Sequence, residues 1–237
     1  NIEEAYQRTL DYLYSFVDYS LTRSLRYSPE KFDLGRMHRF VEMLGSPHAQ
    51  YPIVHVAGTK GKGSTSAMIA EVLQTAGYKV GLYTSPHMID FSERIQVNRV
   101  PVSHKELVDL VEKLKPAVEV IEQLTTFELT TAAAFLYFAQ EKVDIAVIEV
   151  GLGGRLDATN VVDPLVSVIT SLSMDHMNVL GDTLEKIAAE KGGIIKPGKP
   201  VIVAHQKPEA ISVLRKIAME RQSPMTYVDD AWTVDSI

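Results

Sequence analysis

The sequence predicts an α/β fold, a mostly parallel sheet flanked by helices, and two observations carry that expectation. Short apolar runs rich in β-branched residues stand at 53–56, 79–83, 143–150, 165–171 and 200–204; they are too short for helices and apolar enough for burial on both faces. Helical patterns separate most of them, at 64–75, at 104–124 with 127–140, at 183–191 and at 208–221. Strands that alternate with helices in this way pair in parallel, because each crossover needs a helix-length connection.

The elements follow in order. Ile2, Tyr6, Leu10, Leu13 and Val17 recur at helical spacing, and a second short helix is expected over 35–44, stopped by Gly45-Ser46-Pro47. The strand at 53–56 runs into a glycine-rich loop, with a helix expected from Ser64. Residues 85–99 carry Pro86, His87, Asp90, Glu93, Arg94 and Asn98 among scattered apolar residues, and are expected to form a long mobile loop over the site. Residues 225–228 and 231–234 are expected to be short strands. A terminal open edge strand is a liability, so the chain is expected to be part of a larger protein. The division expected is an N-terminal helical segment, 1–50, packed on a sheet domain, 51–237.

Composition limits the function classes. Lys and Arg number 24 against 30 Asp and Glu, a net charge of −6, which lacks the basic surface of a general nucleic-acid binder. The absence of cysteine excludes disulfides, thiolate metal sites and a Cys nucleophile. Asn1-Ile2-Glu3-Glu4 is acidic where a signal peptide is basic, and a starting Asn points to numbering that begins inside a longer gene product. The longest uncharged apolar stretch, 129–140, falls short of the ~20 residues a spanning helix needs. A cytoplasmic protein without a membrane partner is expected.

The strongest local signal is Gly58-Thr59-Lys60-Gly61-Lys62-Gly63-Ser64-Thr65, between a buried strand and a helix. Glycines let backbone N–H groups converge on phosphate oxygens, and the helix N-terminus adds positive potential. Lys62 offers a charge to the β- and γ-phosphates, and Ser64 or Thr65 a hydroxyl near Mg2+. The spacing is not that of the common P-loop, whose first glycine would fall at Val56, and Gly63 separates Lys62 from the hydroxyl residue. Glu149 ends an apolar strand, where ligands of open α/β sheets bind, and is placed to hold Mg2+.

The loop resembles that of the folylpolyglutamate synthase and dihydrofolate synthase family, a branch of the Mur-type ATP-dependent amide ligases. Gly63 favours this folate branch. The resemblance continues in order through Thr84-Ser85-Pro86-His87, Phe91-Ser92-Glu93-Arg94-Ile95, Phe127-Glu128, the run from Glu149 through Gly151-Leu152-Gly153-Gly154-Arg155-Leu156-Asp157-Ala158-Thr159-Asn160, Asp175-His176, and Glu190-Lys191-Gly192-Gly193-Ile194-Ile195-Lys196-Pro197-Gly198. It implies a P-loop mononucleotide-binding domain of Mur-ligase type, covering the N-terminal ATPase domain and lacking a C-terminal Rossmann-like glutamate-ligase domain.

The resemblance also implies roles. ATP would bind at 58–65; Ser85, Glu149 and His176 match Mg2+ ligands; and Lys191, carbamylated by CO2, would hold a second Mg2+. Lys62, Lys191 and His176 would act in catalysis, with K+ a candidate further cation. Read locally, Lys191 is a helix-end cation that complements the dipole, and a lone His is more often a hydrogen-bonded structural residue. Asp33-Leu34-Gly35, Thr125-Thr126-Phe127-Glu128 and Leu156-Asp157-Ala158 match pterin-binding positions; read locally, Phe127 is equally a core residue at a helix start and Asp157 an Asx-type cap. The implied reaction joins L-glutamate to a folate, or to dihydropteroate, through an acyl phosphate formed at the expense of ATP, in a protein expected to be monomeric. A Mur-type ligase for cell-wall precursors and a noncatalytic nucleotide-binding module remain as alternatives. Gly63 and Phe127-Glu128 argue against the first, and Glu149, His176 and Lys191 against the second.

Overall fold

The computed structural model describes residues 1–16, 33–174 and 180–231. Two helices lead: α1 (Ile2–Tyr14), capped by the Asn1 side chain, and α2 (Leu34–Met43), capped by Asp33. Among the described residues eight strands form one sheet. They are β1 (Ile53–Ala57), β2 (Val80–Tyr83), β3 (Ile95–Val97), β4 (Val100–Pro101), β5 (Ile145–Glu149), β6 (Val166–Ile169), β7 (Val201–Val203) and β8 (Met225–Tyr227), in the order β4-β3-β2-β5-β1-β6-β7-β8. From β2 to β8 the pairing is parallel, with Val56 of β1 opposite Glu149 of β5 and Val54 opposite Val166 of β6.

The connecting helices are α3 (Lys62–Thr75), α4 (His104–Val118), α5 (Thr126–Gln140), α6 (Leu184–Gly192) and α7 (Pro208–Glu220). Helices cover both sheet faces, so every residue of β1 and β2 is buried. On one face Ile53, Tyr83 and Ile148 join Tyr6 and Leu13 of α1, Phe40 of α2, Leu110 of α4 and Phe135 of α5 in a single core. On the other, Val54, Val56, Leu82 and Val147 meet Ala70 of α3. A third cluster joins Ile169, Val201 and Val203 to Ala188 of α6 and Leu214 of α7. Helix α5 is buried nearly all round, which matches its apolar sequence.

Four sequence expectations change. Helix α3 begins at Lys62 instead of Ser64. Helix α4 runs through Pro116 and stops at Val118 instead of continuing to 124, and Gln123 then turns the chain with φ 62°. The expected long mobile loop over 85–99 is largely built structure. A 3-10 turn (Phe91–Arg94) leads into β3, which pairs antiparallel with β2 and, through Asn98 and Arg99, with β4. Both turn residues have positive φ (49° and 65°), the twist a two-residue hairpin requires. Only 84–90 stays irregular, and there the Glu93 carboxylate accepts the N–H groups of Met88, Ile89 and Asp90. Lastly, Ala231 closes a short helical turn (Val228–Ala231) and starts no strand, while 232–234 lie outside the described residues. No described helix is long and apolar enough to cross a membrane.

Candidate nucleotide and metal site

The loop after β1 is drawn tightly against β6. A Cβ at Gly58 would stand 1.8 Å from Thr170 Oγ1, so only glycine permits this approach. The Thr59 and Lys60 N–H groups both donate to the Ser171 carbonyl (3.0 and 3.2 Å), and the Thr59 hydroxyl to the Ser173 carbonyl. These contacts fix the loop's shape and leave the later residues to face a ligand. Gly61, with φ 80°, is the N-cap of α3 and carries no capping side chain. The first intrahelical bond is Thr65 N–H to Gly61 C=O, so the N–H groups of Lys62, Gly63 and Ser64 point out of the helix start. Lys62 is half-buried and Ser64 exposed beside them. An uncapped helix N-terminus with a lysine on its first residue suits an anion.

Glu149 closes the site from the neighbouring strand. It is only 4% exposed, and its Oε2 accepts the Ser85 N–H at 3.0 Å. A Cβ at Gly63 would lie 3.5 Å from the same oxygen, so the carboxylate sits against the first turn of α3. Burial raises its pKa, with the Ser85 N–H and Lys62 pulling the other way. A carboxylate held in this state gains most from a cation. Glu149 and the Ser85 hydroxyl are hard oxygen donors, the type that Mg2+ takes. Among the described residues no group of three or more His, Cys, Asp or Glu that could hold a metal occurs.

Lys191 also reaches the loop. It ends α6 yet is buried, 4% exposed, and its Nζ donates to the Gly58 carbonyl at 2.8 Å. The helix-end cation expected from local sequence is thus turned inward. The 151–157 loop lies against it, since a Cβ at Gly154 would meet Glu190 O at 2.8 Å and Lys191 Cα at 3.0 Å. His176 and Asp175 lie outside the described residues.

The residues matched to a pterin site divide. Phe127, at the start of α5, packs its ring on Gly151, where a Cβ would stand 2.4 Å from Cζ, and tilts against Tyr83. It faces the same loop as Lys191. Thr125 and Glu128 form a capping box, the Thr126 hydroxyl donates to the Leu13 carbonyl, and the Asp33 carboxylate caps α2 by accepting the Gly35 N–H. Glu128 accepts Arg36 Nε and Nη2 at 2.9 and 3.1 Å in a buried pair. Leu34 packs on the α1–α5 core. Asp157 is buried and caps the turn Ala158–Val161, while Leu156 beside it is half-buried.

Residues 56–230 match the family model described as the Mur ligase middle domain. The chain belongs to the Mur ligase middle-domain family. It is similar to the dihydrofolate synthase/folylpolyglutamate synthase of Bacillus subtilis (strain 168), with 48% identity over 229 residues, 92% of this chain and 53% of that protein. It superposes on the apo form of L. casei folylpolyglutamate synthase (FPGS) with a TM-score of 0.86 at 39% identity, covering 94% of this chain and 53% of that one. For an FPGS–AMPPCP–folate complex the values are 0.85 and 39%, with the same coverage. The chain spans about half the length of the relatives it matches.

Sequence reading missed several contributors to this Mur ligase middle domain. Ser171 and Ser173 shape the phosphate loop through backbone carbonyls, which carry no residue signature. Arg36, the buried partner of Glu128, carries no local signature of that role, because the two residues stand 92 positions apart. The capping boxes at Ser103–Glu106 and Thr125–Glu128 were both legible as S/T-x-x-E.

Proposed function

We propose that this chain is the ATP-binding part of a ligase that adds L-glutamate to the carboxylate of a folate, and to dihydropteroate. One observation carries the reading: the uncapped start of α3 presents Lys62 and three N–H groups beside the buried carboxylate of Glu149. Support also comes from relatives named as folylpolyglutamate and dihydrofolate synthases and from a similar structure described as a complex with AMPPCP and folate.

Residues 61–65 would cradle the phosphates, with Lys62 on the β- and γ-groups and the Ser64 and Thr65 hydroxyls nearby. Glu149, Ser85 and His176 would hold one Mg2+ and carbamylated Lys191 a second; when bound, these ions neutralise charge on the transferring phosphoryl group. A carbamate keeps one N–H, so the Lys191 bond to Gly58 is compatible with the modification. The substrate carboxylate attacks the γ-phosphate to give an acyl phosphate and ADP, and the glutamate amine then displaces phosphate to form the amide. Phe127 and the 151–157 loop offer a flat apolar wall for the pterin. A Rossmann-like domain that helps bind glutamate, as the resemblance implies, would complete the working protein. The working protein is a cytoplasmic monomer that takes small-molecule substrates, with K+ as an added requirement.

The test is ADP release by the full-length gene product with Mg2+, bicarbonate and K+, omitting L-glutamate or the pteroate substrate in turn. ADP that requires both supports the ligase, and the better substrate of dihydropteroate and tetrahydrofolate names the activity. ADP formed with neither refutes it. Carbamylation is checked separately, by a bicarbonate-dependent carbonyl signal from 13C-labelled CO2 that Lys191→Arg abolishes.

A further inference from the structure

One chain of buried hydrogen bonds lies outside the nucleotide site and joins the central strand to the loop beside it. His55 is the middle residue of β1 and fully buried among Ile53, Val54, Val56 and Ala57. Its Nε2 lies 2.8 Å from Thr159 Oγ1, and that hydroxyl donates to Asp157 Oδ1 at 2.5 Å. A threonine hydroxyl has a single proton, so toward the ring it can only accept, which assigns the Nε2–H tautomer to His55. Asp157 then gathers the loop: Oδ1 also accepts the Thr159 N–H at 3.0 Å, and Oδ2 the Leu152 N–H at 2.8 Å.

Packing alone does not account for a histidine here. Its Nδ1 is buried with no hydrogen-bond partner among the described residues, a cost that valine or isoleucine in the same strand would avoid. Burial, and secondarily Lys196, depress its pKa to about 3, so the ring is neutral and keeps the donor role of Nε2 at any working pH. The loop it reaches is the wall between Phe127 and Lys191, with Gly151 against the first and Gly154 against the second. The phosphate loop is anchored separately, on Ser171 and Ser173.

We propose that His55 is a positioning residue: through Thr159 it holds Asp157, and with it the 151–157 loop, in the arrangement that receives the pterin-bearing substrate, while nucleotide binding does not depend on it. The inference rests on the reading of this loop as a substrate wall. In it Asp157 organises the loop's own backbone, and the ligand contacts come from the surface that backbone presents.

The test compares Thr159→Val and His55→Leu, which cut the relay, with Thr159→Ser and His55→Gln, which keep it, in the full-length gene product. Calorimetry gives the Kd for Mg-AMPPCP and then, with that nucleotide saturating, for folate. Cutting variants are expected to weaken folate binding by about tenfold or more, to leave the nucleotide Kd within about twofold, and to be rescued by the conservative variants. Equal loss for both ligands, or unchanged folate affinity with only a lower Tm, overturns the proposal. Thr159→Val serves if His55→Leu does not fold. Should the parent protein bind no folate, the substrate reading fails by itself, and the relay is judged by hydrogen exchange at the Leu152 amide. Exchange about tenfold faster in Thr159→Val and not in Thr159→Ser supports the relay, and unchanged exchange ends it.

Discussion

Two buried glutamates, each close to the start of a helix, show how differently this chain uses the same side chain. Glu128 lies where α2 meets α5 and is closed: Arg36 grips both its oxygens, and the Thr125 N–H adds a third bond. Glu149 lies at the end of β5 and is open: it accepts one N–H, from Ser85, and no ion pair reaches it among the described residues. A buried carboxylate met by one N–H, and by Lys62 only at longer range, stays costly to ionise, and folding alone gives no reason to keep one. The closed pair has its charge met inside the protein, whereas the open carboxylate is the one that the proposed Mg2+ would complete. This also revises the weight of the pterin-matched residues, because Glu128 and Thr126 are already committed to internal bonds whereas Phe127 faces the site loop.

The largest effect should come from breaking the closed pair. Arg36→Ala or Glu128→Ala is expected to cost about 3–5 kcal/mol in urea unfolding, because each leaves its partner charged and buried. Arg36→Met with Glu128→Leu should recover most of that loss. A Glu128→Ala protein of parental stability that binds folate poorly would instead make Glu128 a ligand contact and erase the contrast with Glu149.

Lys62→Ala tests the open end. Its stability should stay within about 0.5 kcal/mol of the parent, while Mg-AMPPCP affinity falls by roughly 1.5–3 kcal/mol, the worth of a charge-assisted contact. In the full-length gene product, ADP formation should disappear. Parental affinity measured by calorimetry would remove Lys62 from the phosphate site.

These contrasts also mark how far sequence carries. The strand–helix alternation was legible because β1, β2 and β5 are buried on both faces and read as unbroken apolar runs. The hairpin of β3 and β4 was not, since three and two residues are too few to show a period, and only the positive-φ turn at Asn98 and Arg99 announces it. At the site, the glycines and Lys62 could be placed by motif. What could not be read was commitment: whether Thr126, Glu128 or Asp157 spends its hydrogen bonds inside the protein depends on partners far along the chain, such as Leu13, Arg36 and Leu152. Lys191 is the converse case. Its local context gives a surface cation, and only tertiary packing turns it toward Gly58.

Glu149→Gln sharpens the comparison through pH. The folded pKa of Glu149 is raised by burial, so the unfolded chain gives up this proton first. Its contribution to stability is greatest below the unfolded value, roughly pH 4, and is lost as pH rises through the folded value. The glutamine variant should therefore be more stable than the parent at pH 7, with the advantage shrinking as pH falls toward about 4. Mg-AMPPCP binding should weaken in the same protein. Loss of stability at pH 7 would mean that Glu149 already has its partner, as Glu128 does.

The smallest expected effect is the most discriminating. Gly63 is helical and its φ is not positive, so an alanine fits the backbone, and the added Cβ would stand 3.5 Å from Glu149 Oε2, an ordinary contact. By helix propensity Gly63→Ala should stabilise the protein by roughly 0.5–1 kcal/mol. The same methyl occupies the gap between the carboxylate and the helix start, where phosphate and cation would meet. Nucleotide affinity should fall while Tm rises, two changes of opposite sign from one atom. If both rise, the gap is not the ligand's, and Glu149 is open for some reason other than the nucleotide.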